Sequence, residues 1–110
     1  MSSKIVFGTG SRFGRLNKNL CLRLVEYSFK KGVRKFDTGH SYANGNSEKN
    51  LGYAFQNLKN FKRNTVFIST KVGTRICTRG KLYKDFSASS IDYQVNSSLK
   101  NLKLKYIDLL

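Results

Sequence analysis

The stretch VRKFDTGHSY, residues 33–42, begins with a short segment that has Val33 and Phe36 as apolar positions, and it continues through an acid into a polar loop. Val33–Thr38 is typical of a buried β-strand, and Asn44-Gly45 favours a turn in the loop that follows. In parallel α/β folds, functional side chains gather at the carboxyl ends of strands and in the next loops. Asp37 and Tyr42 occupy such positions, so they are candidate site residues.

A helix is predicted before this strand, over residues 17–31. Its apolar positions recur with helical spacing, and Gly32 suits the position just after a helix. Ile5–Phe7 predicts an earlier buried strand, followed by the glycine-rich residues 8–14. Their spacing is one residue off the dinucleotide-binding fingerprint, so we interpret them as a turn. The apolar positions of the helix are Leu20, Cys21, Leu24, Val25 and Phe29.

After the quoted stretch, two further helices and two further strands are predicted. Ser47 can cap a helix with Glu48 in its first turn, and Thr65–Thr70 is rich in β-branched residues. A polar loop is expected over residues 72–86, and Tyr106–Leu110 begins a fourth strand. The order β-α-β-α-β-α-β predicts one α/β domain with a parallel sheet over the whole chain, either an open sheet or part of a barrel. The apolar helix positions are Leu51, Ala54, Phe55 and Leu58, then Ile91, Val95, Leu99 and Leu102.

Lys71, at the end of the third strand, completes a trio with Asp37 and Tyr42. Neighbouring parallel strands would bring the three side chains together. A tyrosine hydroxyl, with an ordinary pKa of about 10, becomes a better proton donor beside an ammonium group. We therefore predict Tyr42 as a general acid, Lys71 as its activator and Asp37 as the anchor of Lys71.

Four segments of the chain resemble aldo-keto reductases. That family carries a motif close to F-D-T-A-x-x-Y-G-x-[GS]-E, which residues 36–48 match with Gly39 and Ala43 as small-for-small departures. Thr70–Gly73 resembles the family's T-K-V-G, and residues 98–109 resemble S-L-x-x-L-x-x-x-Y-I-D-L. The glycine turn after the first strand is the fourth match. The resemblance covers nearly the whole chain.

The resemblance implies the N-terminal part of a (β/α)8 TIM barrel that stops inside strand four, residues 1–110 forming a partial domain. It implies NAD(P)H-dependent reduction of an aldehyde, ketone or sugar carbonyl, with NADP(H) as the expected cofactor. Asp37, Tyr42 and Lys71 fall on three positions of the family's catalytic tetrad, whereas the fourth, a histidine, would follow Leu110. His40 is not that residue, and we expect it at the loop surface with substrate contact as an alternative. Much of the cofactor site belongs to the second half of the barrel, so cofactor-binding residues are unassigned and the 110-residue chain is expected to be inactive alone.

Two more acids are interpreted through the same resemblance. Glu48 either hydrogen-bonds within the active-site loop or complements the start of its helix. Asp108 is interpreted as a structural residue at the edge of strand four.

The composition is strongly basic, with 21 Lys and Arg against 6 Asp and Glu and a net charge of +15. Such a surplus is compatible with a polyanion or a phosphorylated cofactor. The basic residues are scattered singly or in pairs without an RNA-binding signature, so we favour a solvated surface over a nucleic-acid partner. A basic nucleic-acid-binding module and an inactive gene remnant are the alternatives to the reductase. An incomplete barrel also predicts self-association through its exposed sheet edge.

The two cysteines, Cys21 and Cys77, lack C-x-x-C spacing and a cluster of histidines, so no metal site is predicted. Cys21 lies within an apolar helical pattern and is expected in the core. The apolar run within residues 1–8 is too short for a signal peptide, and no stretch is long enough to span a membrane. We therefore expect a cytoplasmic protein.

Overall fold

The computed structural model describes residues 4–77 and 79–110. Residues 1–3, which belong to the short N-terminal run, lie outside the described residues. Strands and helices alternate along the chain, with one antiparallel hairpin inserted before the last helix. The elements are β1 (Val6–Gly8), α1 (Lys18–Lys30), β2 (Lys35–Asp37), α2 (Asn46–Asn57), β3 (Phe67–Ser69), β4 (Thr74–Ile76), β5 (Leu82–Lys84) and α3 (Ala88–Leu102).

The main sheet has the order β1-β2-β3, and its strands are all parallel. Each strand therefore lies beside the next one in the chain, without the reversal of order that marks a doubly wound sheet. Leu109 continues the same order by a parallel bridge to Ser69. The architecture is the N-terminal part of a (β/α)8 barrel. The predicted fourth strand from Tyr106 is reduced to this single bridge.

Helix α1 begins and ends where the sequence predicts. Asn17 caps it by accepting a 2.8 Å hydrogen bond from the backbone N–H of Asn19. Gly32 follows the last turn with a φ of +91°, a conformation that glycine adopts without strain. The predicted face was wrong in part, because Leu20 and Leu24 are 38% and 39% exposed. The prediction is confirmed for Cys21 and Val25, which are buried, and for Phe29, which packs against the core together with Leu22.

All four predicted apolar residues of the second helix are buried, three within α2 and Leu58 directly after its last residue. Phe36 on β2 meets Phe55 edge-to-face at 5.1 Å, which joins the helix to the centre of the sheet. The predicted cap was wrong, because Gly45 precedes the helix and Ser47 lies inside its first turn. The Ser47 hydroxyl donates instead to the Gly10 carbonyl at 2.7 Å, so it ties α2 to the loop after β1.

Two predictions in the last third of the chain need correction. Residues 72–86 were expected to be a polar loop, but β4 and β5 pair there as a hairpin. In α3, Ile91, Val95 and Leu99 are only partly buried, and the face turned into the fold carries Ser90, Gln94, Ser98 and Leu102. Among the described residues, no helix has the length and apolar character needed to cross a bilayer.

Candidate active site

The carboxyl ends of β2 and β3 place Asp37 and Lys71 side by side. Asp37 is directly opposite Ser69 in the parallel register, and the ladder continues beyond both strands. The Thr38 N–H donates to the Ser69 carbonyl at 2.9 Å, and the His40 N–H donates to the Lys71 carbonyl at 3.2 Å. The backbone around both candidate residues is therefore held by regular hydrogen bonds.

Lys71 Nζ donates to Asp37 Oδ2 at 2.8 Å and to the Thr38 carbonyl at 2.8 Å. Ser69 Oγ donates to the other oxygen of Asp37 at 2.6 Å. Partial burial alone would raise the pKa of Asp37, but the bonds from Lys71 and Ser69 outweigh it and hold that pKa below its ordinary value.

The neighbours of Lys71 set its charge. Partial burial alone would lower the pKa of Lys71, but Asp37 and Tyr42 outweigh it and raise that pKa above its ordinary value. Both members are therefore charged at neutral pH. The side chains of Lys71 and Asp37 remain 50% and 38% exposed, so a small molecule can reach them.

Tyr42 opens a short 3-10 turn, Tyr42–Gly45, in the loop after β2. Lys71 Nζ lies 5.0 Å from the centroid of its ring. The ring rests on Gly39, where an added Cβ would come within 3.0 Å of two ring carbons. An alanine here, as in the family motif, would require the ring to shift by a few tenths of an ångström. The structure thus brings Asp37, Tyr42 and Lys71 together.

The turn after Tyr42 has an unusual backbone. Ala43 and Asn44 have φ values of +50° and +57°, and Gly45 follows with +87°. A side chain with a Cβ costs about 1–2 kcal/mol in this left-handed region, whereas asparagine and glycine tolerate it better. Ala43 therefore holds a strained conformation next to the candidate acid.

Glu48 is fully buried at the base of this loop. Its carboxylate accepts hydrogen bonds from Thr70 Oγ1 at 2.8 Å and Asn101 Nδ2 at 3.2 Å. Burial alone would raise the pKa of Glu48, but the bonds from His40, Ser98, Thr70 and Asn101 together hold it below its ordinary value. Both interpretations from the sequence describe the geometry, because Glu48 lies in the first turn of α2 and its carboxylate also contacts His40 in the site loop.

We expected His40 at the loop surface, and this prediction was wrong. Its side chain is 15% exposed, and its Nδ1 lies 3.4 Å from Glu48 Oε1 and 3.3 Å from Ser98 Oγ. It therefore links the loop that carries Tyr42 to α2 and α3. The non-local partners of His40 and Glu48 left no signal in the local sequence.

Ser69 is a site residue that the sequence analysis missed. It faces Asp37 in the register of β2 and β3, so an alignment of the two predicted strands could have indicated it. Among the described residues, no group of three or more His, Cys, Asp or Glu is arranged to hold a metal ion. Cys21 is buried, and burial raises the pKa of its thiol despite a hydrogen bond from Asn50.

Comparisons with known proteins assign the chain to a family. The model of the aldo/keto reductase family matches residues 4–110. The chain is 33% identical to L-galactose dehydrogenase of Arabidopsis thaliana over 98% of its own length and 33% of that protein. It is 32% identical to the NADH-specific methylglyoxal reductase of Escherichia coli, covering 87% of this chain and 31% of the relative.

A solved structure shows the same arrangement of elements. The holo form of an aldo-keto reductase from Bacillus halodurans superposes with a TM-score of 0.80 at 28% sequence identity. The alignment covers 98% of this chain and 36% of that one. The chain thus spans about a third of the length of the curated relatives and of this structure.

Proposed function

The chain belongs to the aldo/keto reductase family, and from this premise we propose that it carries the proton-donating trio of an NAD(P)H-dependent carbonyl reductase. The substrates would be aldehydes, ketones or sugars. The observation that carries the proposal is the contact of Lys71 Nζ with Asp37 at 2.8 Å and with the Tyr42 ring at 5.0 Å.

The proposed roles follow from the charges at the site. When bound, a reduced nicotinamide supplies a hydride to the carbonyl carbon. The Tyr42 hydroxyl donates its proton to the carbonyl oxygen, and the Lys71 ammonium stabilises the phenolate that remains. Asp37 holds Lys71 in place and keeps it protonated. The accessible side of the ion pair leaves room for the substrate.

The cofactor is proposed on family grounds, with NADP(H) as the expectation and NADH as the alternative. The relative from Escherichia coli is named as NADH-specific. The described residues around the trio fit the proton donor, but none is assigned to the cofactor phosphates. We therefore propose that a polypeptide limited to these 110 residues has no reductase turnover that depends on Tyr42.

A chimera tests the proposed roles directly. Residues 4–110 would replace the matching segment of the Bacillus halodurans aldo-keto reductase, and oxidation of NADPH or NADH would be followed with a panel of aldehydes. We expect turnover that falls about a hundredfold or more in the Tyr42→Phe variant, as for loss of a general acid.

The matched control is Tyr53→Phe, because the Tyr53 hydroxyl bonds Asn19 on the outer surface at 3.0 Å. It should retain the activity of the parent chimera. Equal activity of the two variants would contradict the role of Tyr42. The isolated 110-residue chain, assayed in parallel, is expected to be inactive.

Two further expectations from the sequence are retained as proposals. The isolated chain should self-associate through its open sheet, since Val6, Phe67 and Leu109 are 51%, 42% and 56% exposed. Analytical ultracentrifugation over a range of concentrations tests this, and a monomer throughout would contradict it. We also propose a cytoplasmic location, which fluorescence microscopy of a tagged chain would check.

A further inference from the structure

Basic residues that are scattered along the chain gather at one end of the fold. Because the main strands are parallel, the segments that lead into β2, β3 and Leu109 lie at the end of the sheet opposite Asp37 and Lys71. Each of these segments is basic. The set, called the basic end from here on, is Lys30, Lys31, Arg34, Lys35, Lys59, Lys62, Arg63, Lys103 and Lys105.

Few acids compensate this charge. Arg63 pairs with Asp108 at 2.7 Å, and within the described part of the chain it is the one member of the basic end in an ion pair. At the other end of the sheet, by contrast, Lys71 faces Asp37 and Arg75 faces Asp85. A positive potential therefore remains at the basic end, where it attracts anions.

A cavity of about 870 Å³, called the groove from here on, lies at the basic end beside the last turns of α1 and α2. Its only acid among the described lining residues is Glu26, and amide side chains lie beside the cations. The groove is lined by the ends of α1 and α2 and by the loops that follow these helices. The cations and amides of its lining are Lys30, Arg34, Asn57, Lys59, Asn60 and Lys62.

Arg34 is held in a fixed orientation within this groove. Its Nη1 donates to the carbonyls of Phe29 at 2.7 Å and Val33 at 2.9 Å. Its Cζ lies 3.4 Å from the centroid of the Phe29 ring. Because one nitrogen anchors the guanidinium, its remaining N–H groups can bind an oxyanion without first being ordered.

We infer that the basic end binds single-stranded nucleic acid, whose phosphates follow the groove past Lys30, Arg34, Lys59 and Lys62. This inference does not depend on the reductase. It departs from the expectation of a merely solvated surface, because residues separated in sequence are neighbours in the fold.

The shape of the basic end favours one strand over other polyanions. A groove suits a single strand better than a flat bilayer, and the asparagine amides can hydrogen-bond bases or sugars. Lys31 lies over the ring of Tyr27, and Arg63 lies over the ring of Tyr106. These two tyrosines are 65% and 46% exposed, so aromatic surface adjoins the cations. Such a combination of cations and aromatic rings is typical of single-strand binding.

Fluorescence anisotropy with a labelled oligouridine of about 20 nucleotides tests the inference, since that length exceeds usual single-strand sites. One variant removes three groove cations, Lys30→Ala, Lys59→Ala and Lys62→Ala. A matched variant removes the same charge elsewhere, Arg12→Ala, Lys49→Ala and Lys81→Ala, which are all exposed. Circular dichroism would confirm that both variants keep the fold.

The groove variant should bind about 100-fold more weakly at about 0.1 M salt, and its log–log salt slope should fall by about 2. The matched variant should lose less than about threefold, because it lacks contact with the strand. Equal losses in both variants, or no binding by the parent chain, would overturn the inference. So would equal competition by polyglutamate, by duplex RNA or by vesicles containing phosphatidylserine, because each would assign the basic end to another partner.

Discussion

Thr70 Oγ1 donates a 2.8 Å hydrogen bond to Glu48 Oε2, and Glu48 is fully buried. The bond joins the residue before Lys71 to the first turn of α2. A second oxygen of the same carboxylate faces Asn101 on α3. One buried charge therefore connects a helix, a strand end and a second helix directly behind the candidate site.

This carboxylate predicts a loss of stability in acid. The pKa of Glu48 is held below its ordinary value of 4.5. Its contribution to the free energy of unfolding is therefore fully present above pH 4.5 and is lost as the pH falls through the lowered pKa. Glu48→Gln removes the charge and should lower the free energy of unfolding at neutral pH by about 2 kcal/mol. Urea unfolding followed by circular dichroism between neutral and acidic pH measures both effects.

The Glu48→Gln variant should lose less stability than the parent between neutral and acidic pH, because it has no carboxylate to protonate there. Glu26→Gln on α1 is the matched control and should follow the parent. Parallel pH profiles for the parent and Glu48→Gln would contradict the assignment.

The ion pair at the strand ends predicts a raised pKa for Lys71. Asp37→Asn removes the neighbouring carboxylate, so the pKa of Lys71 should move down towards its ordinary value of 10.5. NMR titration of the labelled lysine side chain reads this pKa without any substrate. Asp92→Asn, on the exposed side of α3, should leave it unchanged, and an equal shift in both variants would refute the pairing.

The strained turn predicts that Ala43→Gly stabilises the chain. Glycine adopts a positive φ freely, and the relief should exceed the entropy that glycine loses on folding, for a net gain of about 1 kcal/mol. Thermal unfolding compares it with Ala88→Gly at the start of α3, where the same substitution should be destabilising. A lower melting temperature for Ala43→Gly would show that the turn is unstrained.

At Gly52 on α2, we expect that adding a side chain destabilises the chain. An added Cβ would collide with the Asn101 carbonyl and come within 2.9 Å of the Leu102 carbonyl, both backbone atoms of α3. Gly52→Ala should therefore destabilise by about 2 kcal/mol as the helices are forced apart. At Gly8 no atom lies within 4 Å of an added Cβ, so Gly8→Ala should unfold closer to the parent. If both variants unfold alike, the helices can separate at little cost.

Local sequence predicted those elements whose signals are local. The burial of Leu51, Ala54, Phe55 and Leu58 follows from helical spacing alone, and Gly32 marks the end of α1. The parallel order of the strands then brings Asp37 and Lys71 together. Residues next to each other at strand ends could thus be identified before the structure.

The predictions failed where partners lie far apart in sequence. Ser47 has the chemistry of a helix cap, but a contact with Gly10 uses its hydroxyl instead. Polar Gln94 is buried because it accepts a hydrogen bond from the Gly73 backbone at 3.0 Å, while apolar Ile91 stays partly exposed. The hairpin was missed because all three residues of β5 are exposed, which weakens the alternating pattern of a strand.

Asp108 determines how the end of the chain is aligned on β3. Its carboxylate accepts bonds from Arg63 at 2.7 Å and from the Ile68 N–H at 2.8 Å, so a side chain occupies a donor on the outer edge of β3. A slip by one residue would present the side chain of Ile107 or Leu109 there, and neither side chain has an acceptor. Asp108 thus acts as a register pin, because its side chain fixes the alignment in which the end of the chain lies along β3.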